Sequence, residues 1–203
     1  IANRSDVVVR FQGSSNGGRT IFACGEKYKV SYLPSGIHHD GKKCLICGGV
    51  TLDLEKVSDE ISMLNDAGVL KARLTISKSC HLILDYHKKL DVLDGRIFGH
   101  DRNRTMTEQG FGHCCADKYR RMGIRVADLL YPDVLHDKIK EIITVKNEYF
   151  TKIYGEKPLD PDELHKKFLR LGEKLIPYIG NPEEIVEYSV SKNLGILFEA
   201  CDG

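Results

Sequence analysis

Short runs of mostly apolar residues constrain most strongly what this 203-residue chain can fold into. Val7–Phe11 and Leu194–Phe198 have the composition of strands buried in a parallel sheet, in which both faces are covered by helices. Further strands are predicted at Lys27–Tyr32, Lys43–Ile46, Leu74–Ile76 and His81–Leu84. Helical patterns separate these runs, so the sequence predicts an α/β fold with a mostly parallel central sheet flanked by helices.

The predicted helices have recognisable N-terminal capping residues. Asp53 is a predicted N-cap for a helix that ends at Gly68. Ile139–Phe150 has the spacing of a longer amphipathic helix. Asp160–Glu163 places an N-cap, a proline at the first helical position and a glutamate at N3 in succession. No repeat or low-complexity linker divides the chain, so residues 1–203 are expected to form part of a single domain.

Net charge, hydropathy and cysteine content limit the partners and the cellular location that can be expected for the chain. Thirty basic and 29 acidic side chains leave a formal charge of +1, which provides no general attraction to nucleic acid or to an anionic membrane. No apolar run approaches the ~18 residues of a membrane span, and no secretory signal opens the chain. An odd number of cysteines, seven, predicts free thiols and a cytoplasmic location. The chain begins at Ile1 and stops just after an apolar run, so we expect it to be a piece of a longer protein.

The stretch Gln12–Thr20 is the first candidate for chemistry. It follows a predicted buried strand and combines glycines, which allow close backbone approach, with Ser, Asn and Thr donors and with Arg19. These features suit a phosphate-bearing ligand. The stretch matches neither of the standard phosphate-binding glycine motifs, so a plain Gly/Ser-rich connection stays open as the alternative.

A second candidate lies between Asn103 and Arg125. Hydroxyls and glycines in Asn103–Gly112 precede four cations within Asp117–Arg125, and arginine can bind a phosphate through two parallel hydrogen bonds. A solvated basic helix face is the alternative. The pair Cys44 and Cys47 has the spacing of a metal half-site, but strand alternation points the two thiols to opposite faces, so we expect neither a metal nor a redox role.

Several blocks in order along the whole chain carry a family resemblance. They include Asp6–Gly13, Gly123–Leu130, Leu197–Glu199 and the specific Leu-Pro-Ser-Gly-Ile at Leu33–Ile37. With them the chain resembles the adenylosuccinate synthetase family, GTP-dependent ligases of purine and AMP biosynthesis. The resemblance implies a P-loop-NTPase-like fold, here truncated at both ends, and a homodimer with shared active sites. It also implies that GTP phosphorylates the 6-oxygen of IMP, that the amine of L-aspartate displaces the phosphate, and that Mg²⁺ bridges the ligands.

The resemblance assigns ligand roles residue by residue. Asn16 matches the family's IMP-contacting asparagine, with Gly17 beside it, and Gly18 matches the glycine whose backbone carbonyl ligates Mg²⁺. Thr107 matches the second threonine of the IMP-phosphate motif. Arg121 matches the arginine that reaches the partner subunit's IMP phosphate. An alignment shifted by one residue would give that role to Arg120.

The same motifs contain departures. Arg19 stands at the position of the histidine that assists phosphoryl transfer, and it cannot release a proton near neutrality. Met106, Gln109 and His113 replace a threonine, a basic residue and a proline of the phosphate motif, and Asp202 replaces a glutamine that contacts IMP. The phosphate loop with its catalytic aspartate, and the guanine- and aspartate-binding regions, are expected outside this chain. We therefore expect the chain alone to be inactive. A degenerate, non-catalytic homologue acting as a nucleotide-binding or interaction subunit is the alternative for the parent protein.

Overall fold

The computed structural model describes residues 2–98 and 108–201, which fall into two compact units. One, the sheet unit, contains Ile1–Cys80 and Lys174–Gly203, and the other, the helical unit, contains His81–Glu173. The strands are β1 (Val7–Gly13), β2 (Arg19–Ala23), β3 (Glu26–Val30), β4 (Lys43–Leu52), β5 (Arg73–Ser77), β6 (His81–Leu82), β7 (Ile179–Gly180) and β8 (Ile196–Glu199). The α-helices are α1 (Leu54–Asp66), α2 (Asp85–Phe98), α3 (Phe111–Tyr119), α4 (Pro132–Glu148), α5 (Pro161–Glu173) and α6 (Pro182–Ser191).

Five parallel strands make the main sheet of the sheet unit, in the order β7-β5-β4-β1-β8. Strand β1 pairs with β4 on one side, Val7 opposite Lys43, and with β8 on the other, Val7 opposite Ile196. The parallel sheet expected from the apolar runs is thereby confirmed. The carboxyl ends of β1 and β8 lie side by side, and Gly13 and Gly17 lie against Cys201, which follows β8.

Helices cover this sheet. Val7, Val9 and Leu45 form a buried cluster on one face, against which Ile185 and Val186 of α6 pack. Helix α1 buries one stripe of apolar side chains and starts at the predicted cap, where the Asp53 carboxylate accepts from the backbone N–H of the second helical residue at 3.1 Å.

The two cysteines of β4 lie on opposite faces, as the alternation predicts. Cys47 packs with the Val7, Val9 and Leu45 cluster. Cys44 faces Gly36 on the other side, and burial raises its pKa to about 12. A cysteine with so high a pKa is a neutral, unreactive thiol at physiological pH. The described residues contain no group of three or more His, Cys, Asp or Glu side chains arranged to hold a metal ion.

The β2–β3 hairpin differs from the sequence prediction. These strands are antiparallel and stand apart from the main sheet, with Arg19 opposite Val30. Their connection is the two-residue turn Cys24–Gly25, in which both residues have positive φ, 52° and 82°. Such a turn matches the right-handed twist of the flanking strands. The prediction of a strand at Lys27–Tyr32 is thus shifted to Glu26–Val30, and the end of the presumed loop, Arg19 and Thr20, is strand.

The helical unit is built around α2, α4 and α5. Helix α5 starts at the predicted cap, where Asp160 Oδ1 accepts from Asp162 N at 2.8 Å and from Glu163 N at 3.2 Å. Helix α4 continues into one π-helical turn, Tyr149–Ile153. The unit's buried apolar residues include Leu90, Ile124, Leu135, Ile139, Ile143, Phe150, Leu164 and Phe168. Within residues 2–98 and 108–201, none of the helices combines the length and apolar character that crossing a bilayer requires.

Candidate functional site

The loop after β1 is fixed at its base by buried polar groups. Arg10, which has no exposed surface, donates from Nη2 to the Ser14 carbonyl at 2.6 Å. The Tyr32 hydroxyl accepts from Asp53 N at 3.0 Å and lies 3.3 Å from Ser14 Oγ. Burial raises the pKa of Tyr32 to about 12, so its hydroxyl keeps its proton and can donate to Ser14. No local sequence pattern indicates that Arg10, inside the mostly apolar run of β1, anchors this loop.

The tip of the loop presents the residues assigned to IMP. Asn16 and Gly18 are exposed and Gly17 is half-buried. Gly17 lies against Cys201, where a Cβ atom would come within 2.6 Å of Sγ, so only glycine fits. Gly18 instead faces open space, with Ser31 Oγ at 4.0 Å from where a Cβ would be. A ligand can therefore approach the Gly18 backbone closely.

Gly18 was also the predicted Mg²⁺ contact. Magnesium prefers six oxygen donors in near-octahedral geometry. The Gly18 carbonyl is one such donor, but the described residues add no acidic cluster beside it. The described residues therefore do not by themselves make a magnesium site.

Arg19, at the position of the family's histidine, is held in an ion pair. Its Nη1 donates to Glu199 at the end of β8 and to the Leu33 carbonyl at 3.5 Å. Glu199 also accepts from the Ser35 hydroxyl and from Ser35 N at 3.2 Å. The Arg19 and Glu199 side chains are only 17% and 13% exposed. Arg19 is thus engaged with protein groups rather than directed into solvent.

A second carboxylate that sequence reasoning missed organises the neighbouring backbone. Glu60 of α1 accepts from three consecutive amides, Ser31 N at 2.6 Å, Tyr32 N at 3.0 Å and Leu33 N at 3.1 Å. Burial raises the pKa of Glu60, against these hydrogen bonds, which favour the charged form. The glutamate fixes the segment that leads into the Leu-Pro-Ser-Gly-Ile block. No local sequence pattern distinguishes Glu60 from the other polar residues of α1, so this role could not be predicted.

Three of the predicted ligand-motif residues lie outside the described residues: Met106, Thr107 and Asp202. Gln109 and His113 are described, and His113 Nε2 lies 3.0 Å from Asp94 Oδ2 in the helical unit. Gly110, which precedes α3, donates its N–H to the buried Asp91 carboxylate at 3.0 Å.

Arg121 occupies a strained turn at the end of α3. Its φ is +61°, in the left-handed region that favours glycine. Arg121 N donates to the Lys118 carbonyl at 3.1 Å and Met122 N to the Asp117 carbonyl at 2.9 Å, the two bonds of a Schellman helix end. Glycine is the usual residue at this position of the motif. A non-glycine residue at this position costs conformational free energy, and backbone strain of this kind is often found at functional sites.

The Arg121 turn lines a cavity of about 660 Å³ in the helical unit. The cavity's basic lining residues are Lys118, Arg121, Arg125 and Lys138. Glu141 is the one acidic residue among its described lining residues, and Lys138 is itself paired with Asp128 at 2.6 Å. The excess of positive charge suits an anion. Arg120, the alternative from a shifted alignment, is not among the lining residues.

A buried ionic cluster behind this turn was also missed by sequence reasoning. Asp117, part of the presumed basic run, is buried and lies 2.9 Å from Lys146 Nζ. Burial alone would raise the pKa of Asp117, but hydrogen bonds from His87, Lys146 and Tyr86 hold it well below its usual range. The partners come from α2 and α4, far away in sequence, so no local pattern could have revealed the cluster.

Comparison with known proteins places these features in a family. The sequence model of the family described as adenylosuccinate synthetase matches residues 1–203. The adenylosuccinate synthetase of Nitratidesulfovibrio vulgaris is 40% identical over 205 residues, which cover 100% of this chain and 48% of the relative. That of Acetivibrio thermocellus is 40% identical over 201 residues, covering 99% of the chain and 47% of the relative. The chain thus spans about half the length of the curated relatives it matches.

Solved structures agree at the level of fold. The fully ligated adenylosuccinate synthetase from Plasmodium falciparum matches with a TM-score of 0.82 at 23% identity, covering 98% of this chain and 46% of that one. The succinoaminodeoxyadenylate synthetase of cyanophage S-2L, bound to dGMP and dATP, matches with a TM-score of 0.53 at 13% identity, covering 98% and 43%. The expected α/β architecture is confirmed by these matches.

Proposed function

Because this chain belongs to the adenylosuccinate synthetase family, we propose that the whole protein to which it corresponds ligates IMP to L-aspartate at the expense of GTP. Mg²⁺ and GTP are then its metal and its energy source, and the cytoplasm is its compartment. The chain corresponds to about half of such a protein, with 48% of the length of its relative from Nitratidesulfovibrio vulgaris. We assign to it the IMP side of the site and the contact between subunits of a homodimer.

Arg121 is the observation that carries this assignment. It combines a left-handed backbone conformation with a place in a cationic cavity, and no described residue pairs with its guanidinium. A guanidinium held away from internal partners is ready to bind a phosphate bidentately. In the proposed homodimer, that phosphate belongs to the IMP bound by the partner subunit.

In the sheet unit, we assign Asn16, Gly17 and Gly18 to the approach of IMP. The exposure of Asn16 and the open space at Gly18 support this assignment, since both leave room for a ligand. Thr107 and Asp202 are assigned to the same ligand by resemblance alone. If Asp202 takes the place of the family's glutamine at IMP, its negative charge would weaken the affinity for this anionic ligand.

The ion pair of Arg19 favours the second candidate function, a non-catalytic homologue that retains nucleotide binding. A histidine at this position can exchange a proton near neutrality, whereas a guanidinium paired with Glu199 contributes positive charge and hydrogen-bond donors but no exchangeable proton near neutrality. Electrostatic stabilisation remains available to Arg19, because phosphoryl transfer depends mainly on positioning and charge neutralisation. Turnover therefore decides between the two functions.

Calorimetric titration of IMP into the purified chain tests the assignment. We compare the unaltered chain with Arg121→Leu and, as the matched control, Arg120→Leu, which removes a neighbouring exposed arginine that does not line the cavity. Millimolar or tighter binding that Arg121→Leu abolishes and Arg120→Leu preserves supports the proposal. Absence of binding by a folded chain, or equal loss in both variants, contradicts it.

The reaction itself requires the whole protein. Phosphate release that depends on IMP, GTP and aspartate together supports the ligase, while a correctly folded protein with no turnover but intact IMP binding supports the non-catalytic candidate. We expect the 203-residue chain alone to show no turnover, since the phosphate loop is assigned to a region outside it. Turnover by this chain would refute that expectation.

A further inference from the structure

The buried carboxylate of Asp117 receives three donors from two helices. The Tyr86 hydroxyl donates at 2.8 Å and the His87 ring nitrogen Nε2 lies at 3.3 Å, both from α2. Lys146 of α4 donates from Nζ at 2.9 Å to the other carboxylate oxygen. The side chain of Asp117 is 2% exposed and that of Lys146 is 8% exposed, so water contributes little to either charge.

Only one of the three donors carries charge. His87 Nδ1 accepts from Leu84 N at 2.9 Å, so the ring proton must sit on Nε2, which donates to Asp117. Burial lowers the pKa of His87 to about 4, which keeps the ring neutral at physiological pH. Tyr86 is neutral as well, because burial raises the pKa of its hydroxyl. The positive charge that balances Asp117 therefore comes from Lys146.

Asp117 also fixes the turn that holds Arg121. Its backbone carbonyl accepts from Met122 N at 2.9 Å and from Gly123 N at 3.2 Å. Beyond this turn the chain is anchored to β6, where Leu82 N donates to the Ile124 carbonyl at 2.8 Å. Gly123 has no room for a side chain, since a Cβ would lie 2.5 Å from the His81 ring. Any displacement of Asp117 thus acts on Arg121 directly.

We propose that Lys146 is a positioning residue for Arg121. Its ammonium neutralises the buried Asp117 carboxylate, which keeps the end of α3 in place and maintains the left-handed turn that presents the Arg121 guanidinium to the cavity. The consequence for IMP rests on the proposed function. The consequence for the turn does not, because it concerns the hydrogen bonds of the chain itself.

Removing the ammonium has a defined electrostatic result. A buried carboxylate left with neutral donors is strongly unfavourable, so the protein must move Asp117 towards water or gain a proton nearby. The titratable groups that face the cluster are Tyr86 and His87 of α2, His113 and Cys114 of α3, and Lys146 of α4. With Lys146 gone, its repulsion on His87 is gone too, and an imidazolium at that position becomes the new charge partner of Asp117 as pH falls.

The experiment measures the amide exchange of Met122 and Gly123 by NMR, at pH 8 and pH 5.5, in Lys146→Met. We expect protection factors at least about tenfold lower than in the unaltered chain at pH 8, with partial recovery at pH 5.5 as His87 is protonated. Lys146→Arg is expected to retain protection. The matched control is Lys152→Met, which removes an exposed lysine, 74% exposed, beyond the end of α4.

A double variant keeps the test decisive if Lys146→Met does not fold. Asp117→Asn combined with Lys146→Met removes both charges, and the protection of Met122 and Gly123 is expected to return because no buried charge is left unpaired. Unchanged protection in Lys146→Met at pH 8 would overturn the proposal. The proposal would also be overturned if neither the double variant nor Lys146→Arg protected the amides of Met122 and Gly123.

Titration with IMP separates this proposal from the proposed function. If the unaltered chain binds IMP, Lys146→Met is expected to weaken binding at pH 8 about tenfold or more, and Lys146→Arg to restore most of it. Full affinity in Lys146→Met would contradict the positioning role. If the unaltered chain does not bind IMP, the proposed function fails for this chain, and the exchange measurement alone decides the role of Lys146.

Discussion

Arg121→Gly should stabilise the chain while it abolishes IMP binding. Arg121 has φ of +61° at the end of α3, where a side chain costs about 1–2 kcal/mol relative to the right-handed conformation. Glycine avoids this cost. It also makes the unfolded chain more flexible, and the larger entropy loss on folding offsets about 0.5–1 kcal/mol of the gain. The net stabilisation is therefore about 0.5–1 kcal/mol, or a rise in Tm of roughly 1–4 °C for a chain of this size.

The comparison with Arg121→Ala isolates the backbone contribution. Alanine removes the same guanidinium but retains a Cβ in the left-handed region, so we expect its Tm to stay close to that of the unaltered chain. Thermal unfolding followed by circular dichroism gives the Tm of each, and calorimetry gives the IMP affinity, which both variants should lose. If Arg121→Gly is no more stable than Arg121→Ala, the argument that this turn stores strain for the sake of the arginine is refuted.

Three further predictions address chemistry, pH and folding. Arg19→His should raise IMP-dependent phosphate release in the whole protein, because imidazole can exchange a proton near neutrality; a fall in rate would mean that the pair with Glu199 has a role of its own. Burial in the folded chain lowers the pKa of His87 from 6.5 to about 4. The unfolded state therefore binds the proton at a higher pH than the folded state does, and stability is lost as the pH falls from about 6.5 towards 4. Urea unfolding should show a loss of roughly 2 kcal/mol between pH 6.5 and 4.5, and an equal loss in His87→Gln would assign it to other groups. Asp160→Ala should cost about 1 kcal/mol by removing the cap of α5, and a Tm within 1 °C of the unaltered chain would contradict that role for Asp160.

The parallel sheet could be predicted because its signal is local. Val7–Phe11 and Lys43–Ile46 are short, mostly apolar runs, and both lie in adjacent parallel strands. The caps Asp53 and Asp160 were predictable for the same reason, since their hydrogen bonds span two or three residues. The β2 strand was missed because only Ile21 of its five residues is buried and its Cys-Gly turn is not a typical hairpin signal.

For the candidate site, the resemblance named Arg121 as a ligand residue, which stays a prediction. The structure places Arg121 in a strained turn beside a cavity. The resemblance did not indicate Lys146 or Glu60, because each acts on groups 27 to 29 residues away that meet only in the folded chain. The pairing of Arg19 with Glu199, 180 residues apart, was invisible for the same reason.

Arg19 and Arg121 represent two different uses of the same side chain. Arg19 is nearly buried and satisfied by Glu199 and the Leu33 carbonyl, so it links β2 to the end of β8 as a structural ion pair. The side chain of Arg121 is exposed, and its backbone has a strained, positive φ. Its guanidinium has no partner among the described residues. Strain persists only where the surrounding structure supports it, and here Asp117 with Lys146 supplies that support. Arg121 thus lies beside a cavity with its guanidinium available, as the proposed phosphate contact requires, while the position assigned to proton transfer holds an ion pair. Measured side by side, IMP affinity and turnover in the whole protein should respond independently to changes at these two arginines.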